Sequence, residues 1–114
     1  MKRRRLPQNV RLALLELKRA LVQMYGERLE GIYLYGSYAR GDFTQDSDVD
    51  VLVVFRDAVK PGAEITNISP LVSDICLRYD VLFSIFPVSA EQFATRQSPF
   101  MLNVRREVVE VCCE

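Results

Sequence analysis

The sequence predicts an α/β (α+β) chain, a small mixed three-stranded sheet flanked by helices. Three observations predict it. Along 114 residues, segments with helical spacing of apolar positions alternate with short runs rich in β-formers. A helical segment separates the second and third runs, which is the crossover that a parallel pair requires. Polar residues cluster at the ends of the runs, where they would converge on one edge of the sheet. One domain spanning residues 1–114 is the natural count, able to bury about two thirds of its unfolded surface.

The elements follow in order. Val10, Leu14, Leu17, Leu21 and Met24 recur at helical spacing and form one apolar stripe with Arg and Lys opposite. Pro7 suits the first turn of that helix and Gly26 its C-terminal cap. Gly31–Tyr35 is rich in β-formers and ends at Gly36, so it reads as a strand. Ser37–Asp46 is polar and carries Gly41, a turn with room for one helical turn. Asp48–Phe55 is a second strand, entirely apolar after Asp50 as a buried central strand would be.

After Pro61-Gly62, the residues Ile65, Ile68, Val72, Ile75 and Tyr79 keep helical spacing. Pro70 lies inside and predicts a kink, or a restart with Ser69 as N-cap. Tyr79–Phe86 reads as the third strand, stopped by Pro87. Ser89-Ala-Glu-Gln92 is a capping box that opens a short helix. Ser98-Pro99 caps the last helix, where Phe100, Val104, Val108 and Val111 share a face.

Composition narrows the chemistry. There are 15 Lys and Arg, 15 Asp and Glu, and no His. Without imidazole there is no Ser-His-Asp or Cys-His nucleophile, no His-bearing zinc site and no imidazole base. Carboxylates, hydroxyls, thiols, Lys and Arg must do the work. Residues 1–28 hold eight basic groups against Glu16 and Glu27, leaving an acidic body. That asymmetry suits contact with an acidic partner or nucleic acid, but a basic tail with a solvated helix face is the more ordinary reading. The longest apolar run is Val51–Phe55, far short of a membrane span. Cys76, Cys112 and Cys113 have no ligand-like spacing and read as reduced thiols in the cytoplasm.

The chemistry centres on Asp48 and Asp50. Two apart on a strand, they point to one face, about 6–7 Å from each other. Asp42 and Asp46 precede them closely. Such carboxylates repel unless a cation neutralises them, and hard oxygen ligands suit Mg²⁺ or Mn²⁺. If Gly36-Ser37 meets this pair, the first two strands run antiparallel. If Asp80 meets it too, strands two and three run parallel. One hydroxyl and three carboxylates then converge on one edge. Gly36 lets the backbone approach a phosphate, Ser37 can donate its hydroxyl, and Arg40 can neutralise a triphosphate. A third carboxylate completes a two-metal site or takes the nucleophile's proton.

Gly36-Ser-Tyr-Ala-Arg-Gly41, then Ser47-Asp-Val-Asp50, then Asp80 resembles the minimal nucleotidyltransferases of the DNA polymerase β superfamily. The G-S-x-A-R-G version is similar to the MntA-type antitoxins encoded beside a HEPN-domain toxin. The resemblance covers about residues 8–111. It implies the polymerase-β-like nucleotidyltransferase fold, with ATP as substrate and one or two Mg²⁺ ions. Asp48 and Asp50 match the metal ligands and Asp80 the third catalytic acid and metal position. Gly36, Ser37, Arg40 and Ser47 fall at the nucleotide-binding end of the pattern. It further implies transfer of AMP to a hydroxyl on a partner protein, a HEPN-domain toxin, since so short a chain leaves few residues to bind an acceptor. The alternative is a catalytically silent antitoxin that neutralises its partner by binding alone. Direct nucleic-acid binding ranks below both, because the basic groups are few and lack interleaved aromatics.

Overall fold

The computed structural model describes residues 6–111. The basic residues Lys2–Arg5 and the vicinal Cys112 and Cys113 lie outside the described residues. The elements are α1 (Gln8–Tyr25), β1 (Leu29–Tyr35), α2 (Ser37–Arg40), β2 (Val49–Phe55), α3 (Pro61–Tyr79), β3 (Phe83–Ser89), α4 (Ala90–Thr95), α5 (Pro99–Glu107) and β4 (Val109–Glu110). The sheet order is β3-β2-β1-β4. β1 runs antiparallel to β2, and β2 runs parallel to β3 through the α3 crossover.

Among the described residues the sheet therefore has four strands rather than the expected three. Val108 leaves α5 in an extended conformation, and Val109–Glu110 pairs with Leu34 and Tyr33 of β1. Val111 is thus not on a helix face; it is buried beside the sheet, its N–H bonded to the Ile32 carbonyl.

Strand periodicity sorts the side chains between two layers. Val49, Val51, Val53 and Phe55 of β2 join Ile32 and Leu34 of β1 in a core covered by α1 and α3. Leu52 and Val54 face the other way, with Tyr35, Val88, Met101 and Val104, under α4 and α5. Val51–Phe55 are all at most 1 % exposed. Burial on that scale contributes about 1.5–3 kcal/mol per large side chain and fixes the β2 register. Asp50 has the parity of Leu52 and Val54, so it belongs to the α5 layer.

Several boundaries differ from the sequence reading, each for a physical reason. The α1 stripe is buried from Val10 to Leu21 and continues to Tyr25, which packs on Phe55, while Met24 is 47 % exposed. α3 is continuous through Pro70, with Ile68 and Ile75 holding it to the sheet on either side. Ser69 donates its hydroxyl to the Ile65 carbonyl and is no N-cap. Pro87 does not stop β3; it pairs with Val53 inside this edge strand, where a proline's missing N–H can face outward. The capping box is present, Gln92 N–H donating to Ser89 Oγ at 3.1 Å.

β3 starts four residues later than the expected Tyr79. α3 persists through Tyr79, and Asp80 is its C-cap in the left-handed region, φ 55°. Asn9 at the start of α1 donates to the carbonyl of Tyr79 at 2.9 Å, tying the two helix ends together. Among the described residues no helix is long and apolar enough to cross a membrane.

Candidate active site

β1 ends at Tyr35, directly opposite Asp50 of β2. The chain then turns sharply at Gly36, φ 74° and ψ −154°, and enters the single helical turn α2. A side chain at Gly36 would collide with Asp50: its Cβ would lie 3.1 Å from Asp50 Cγ and closer still to Oδ2. Glycine is needed here for both backbone conformation and space. Beyond α2, Gly41 adopts φ 91° and returns its N–H to the Ser37 carbonyl at 2.8 Å. Tyr38 and Phe43 stack at 4.2 Å between ring centres and anchor this loop in the core. Ser47 closes its far side, its Oγ accepting from Thr44 N–H at 2.9 Å.

A cleft of about 910 Å³ lies between this turn, the start of β2 and α5. Gly36, Ser37, Arg40, Ser47, Asp48 and Asp50 all line it, so the structure gathers six of the seven residues singled out from sequence. Asp50 is held above the usual carboxylate range, chiefly by burial and then by the charge of Asp48; Arg40 pulls it down and Glu107 adds to the rise. Burial, with Asp50 and Glu107 nearby, also pushes the Tyr35 phenol up to about 12.

Asp80 is the exception. It lines a second cleft, of about 790 Å³, with Asn9, Asp46 and Leu82, and that cleft shares Ser47 and Asp48 with the first. Asp48 thus shares one cleft with Asp50 and the other with Asp80, and the three carboxylates do not line a single cleft. α3 packs on the α1 layer, so its cap arrives at the opposite layer from Asp50. The left-handed turn at Asp80 also breaks the alternation that would have aligned it with Ser84 and Phe86. Ser84, not Asp80, stands beside Asp50 in the parallel register. Among the described residues no group of three or more His, Cys, Asp and Glu side chains is assembled to hold a metal.

The Asp48–Asp50 pair nonetheless fits a hard divalent cation. It offers only carboxylate oxygens, one of them partly desolvated and destabilised by its like-charged neighbour, in a cleft wide enough to admit phosphate and water as further ligands.

Sequence reasoning missed the wall supplied by α5. Phe100, Asn103 and Glu107 face the cleft. Phe100 meets Tyr35 edge-on at 5.8 Å and Phe86 at 5.3 Å. Glu107 accepts from Gly36 N–H at 3.2 Å and from Arg40 Nη1 at 2.9 Å. Arg40 also reaches Asp42 at 3.3 Å, so its guanidinium is shared between two carboxylates on the wall of the cleft. The spacing of Phe100, Val104 and Glu107 placed Glu107 on the inner face of the helix, and that was the available signal.

Residues 14–94 match the family described as nucleotidyltransferase domain. Two proteins of Methanocaldococcus jannaschii, each carrying the name "putative protein adenylyltransferase", are similar to this chain. One is 36 % identical over 84 % of this chain and 92 % of its own length; the other is 35 % identical over 71 % and 75 %. The fold is similar to that of a toxin-antitoxin crystal structure with AMP-PNP, at TM-score 0.59 and 18 % identity over 88 % of this chain and 73 % of that one. It is also similar to a chain from a complex of a tri-AMPylated Shewanella oneidensis HEPN toxin with its MNT antitoxin. There the TM-score is 0.52 at 17 % identity, over 91 % of this chain and 73 % of that one.

Proposed function

This chain belongs to the nucleotidyltransferase family, as a minimal member of it, and from that premise we propose that it moves AMP from ATP to a hydroxyl of a partner protein, a HEPN-domain toxin. The observation that carries this reading is the seating of Asp48 and Asp50 against the Gly36-Ser37 turn in one open cleft. The names of the two archaeal relatives support AMP as the group and protein as the acceptor. The toxin-antitoxin neighbours support the partner and the nucleotide. Residues 1–114 act as one domain in this reading, and the free thiol of Cys76 suits the cytoplasm.

ATP occupies the first cleft. Asp48 and Asp50 would hold Mg²⁺, which when bound would supply charge neutralisation at the α-phosphate. The bare Cα of Gly36 admits the phosphates, the Ser37 hydroxyl donates to a phosphate oxygen, and Arg40 balances charge. Ser47 holds the loop carrying Asp48 in place. The acceptor hydroxyl approaches from the second cleft, which meets the first at Asp48. Its oxygen bonds to the α-phosphorus while the bond from that phosphorus to the β-bridging oxygen breaks. Pyrophosphate leaves, and the hydroxyl proton passes to a carboxylate, for which Asp80 on the wall of the acceptor cleft is our candidate.

One observation favours the alternative, an antitoxin that silences its partner by binding alone: Asp80 shares a cleft with Asp48 but not the one that Asp50 lines. Incubation with labelled ATP, Mg²⁺ and the product of the adjacent gene separates the two. Label on the partner that disappears with Asp48→Asn/Asp50→Asn supports transfer. Equal protection by wild type and variant with no label overturns it.

A further inference from the structure

Glu107 stands at the last turn of α5, fixed from both sides. Before it, Met101 and Val104 are at most 1 % exposed and seat the helix on the sheet. After it, Val109 and Glu110 pair with β1. Glu107 is thus held beside the end of β1 with little freedom. Its side chain is 19 % exposed, and each carboxylate oxygen has one partner in the cleft: Oε1 accepts from Gly36 N–H, Oε2 from Arg40 Nη1.

Both partners are parts that need holding. Gly36 is in a backbone region where glycine has more freedom than any other residue, so the turn bearing Ser37 is not rigid by itself. Arg40 sits at the end of a four-residue helical turn with its side chain half exposed, and a long cation in that setting samples many rotamers. The nearby Asp42 lies on the same loop and, at 63 % exposure, gives weaker restraint. A charge-assisted bond to a carboxylate on a different, packed element restrains the cation far better.

We propose that Glu107 is a positioning residue for nucleotide binding, fixing the Gly36-Ser37 turn and aiming Arg40 into the cleft. It touches neither the reacting phosphorus nor the acceptor. The inference rests on the nucleotidyl-transfer reading of the same cleft and adds a residue from α5 to it.

The test is calorimetric binding of Mg²⁺ with AMP-PNP to the full chain, in wild type, Glu107→Gln, Arg40→Ala and the double variant. Loss of a charge-assisted bond predicts affinity about tenfold weaker for Glu107→Gln, with thermal midpoint little changed. Because part of the effect of Glu107 runs through Arg40 and part through the Gly36 amide, the double variant should lose less affinity than the sum of the two single losses. Faster hydrogen exchange at the Gly36 amide in Glu107→Ala, with the β2 amides unchanged, is the second expected result. Equal or tighter binding by Glu107→Gln overturns the proposal, making the carboxylate an obstacle to the phosphates. Additive losses in the double variant overturn it as well. Failure of the wild type to bind AMP-PNP removes the nucleotidyl-transfer reading and the role of Glu107 with it, whereas wild-type binding with an unaffected variant removes only the latter.

Discussion

Gly36 and Asp50 are fitted to each other so closely that the glycine's missing side chain is the space the aspartate occupies. Gly36 follows the last residue of β1 and Asp50 lies next to the first of the antiparallel β2, and the turn at one packs on the carboxylate of the other. A phosphate held at that turn would lie beside the Asp48–Asp50 pair.

Gly36→Ala is therefore expected to remove activity and to destabilise. Positive φ and the collision with Asp50 together cost about 1–3 kcal/mol. Chemical denaturation measures the loss of stability, and AMP transfer measures the loss of function. Retention of full activity would show that the turn can shift without consequence.

Asp48→Asn removes one of two like charges while keeping the side-chain shape. AMP transfer should fall by at least about 100-fold, as expected when a ligand of an essential cation is lost. The thermal midpoint should stay level or rise, because the repulsion that raises Asp50 is relieved. A large drop in midpoint would instead make the pair structural.

Asp80 and Ser84 can be told apart by substitution. Asp80→Asn keeps a residue that tolerates the left-handed cap, so the fold and AMP-PNP binding should persist. Transfer to the partner should slow by about 10² or more if the carboxylate takes the acceptor's proton. Ser84→Asp places a third acid beside Asp50 and should tighten Mn²⁺ binding, measured by calorimetry. No change in Mn²⁺ affinity would mean that the β3 position does not reach the pair.

Tyr35 sets a prediction in alkali. Its phenol titrates at about 12 when folded against 10.0 ordinarily, so the folded state holds the proton more tightly. The corresponding stability is complete below pH 10 and is lost as pH rises from 10 toward 12. Tyr35→Phe should flatten that decline, as followed by circular dichroism against pH. An unchanged alkaline profile would place the strain at another tyrosine.

Much of this molecule is legible in its residues. The helical spacing of Val10, Leu14, Leu17 and Leu21, the apolar run Val51–Phe55 and the cap at Ser89 are local patterns, and local patterns survive into the fold because side-chain periodicity is set by the backbone itself. The spacing from Gly36-Ser37 to Asp48 and Asp50 likewise foretold that a turn and a carboxylate pair meet, since antiparallel neighbours bring the end of one strand to the start of the next.

Tertiary structure decided what depends on layers and on distant chain. The sequence placed Asp80 at the head of a strand, but α3 packs against α1 and runs on through Tyr79, so its cap arrives on the other side of the sheet. It ended the last helix no earlier than Val111, but β1 had an unpaired edge whose N–H and C=O groups Val109 and Glu110 satisfy. The same return of the chain holds Glu107 against Gly36 and Arg40, 71 and 67 residues away. By itself the sequence determined the chemistry available, carboxylates and hydroxyls with no imidazole. Which of those carboxylates share one cleft was decided by packing, because only burial of the two apolar faces of the sheet fixes where each helix must end.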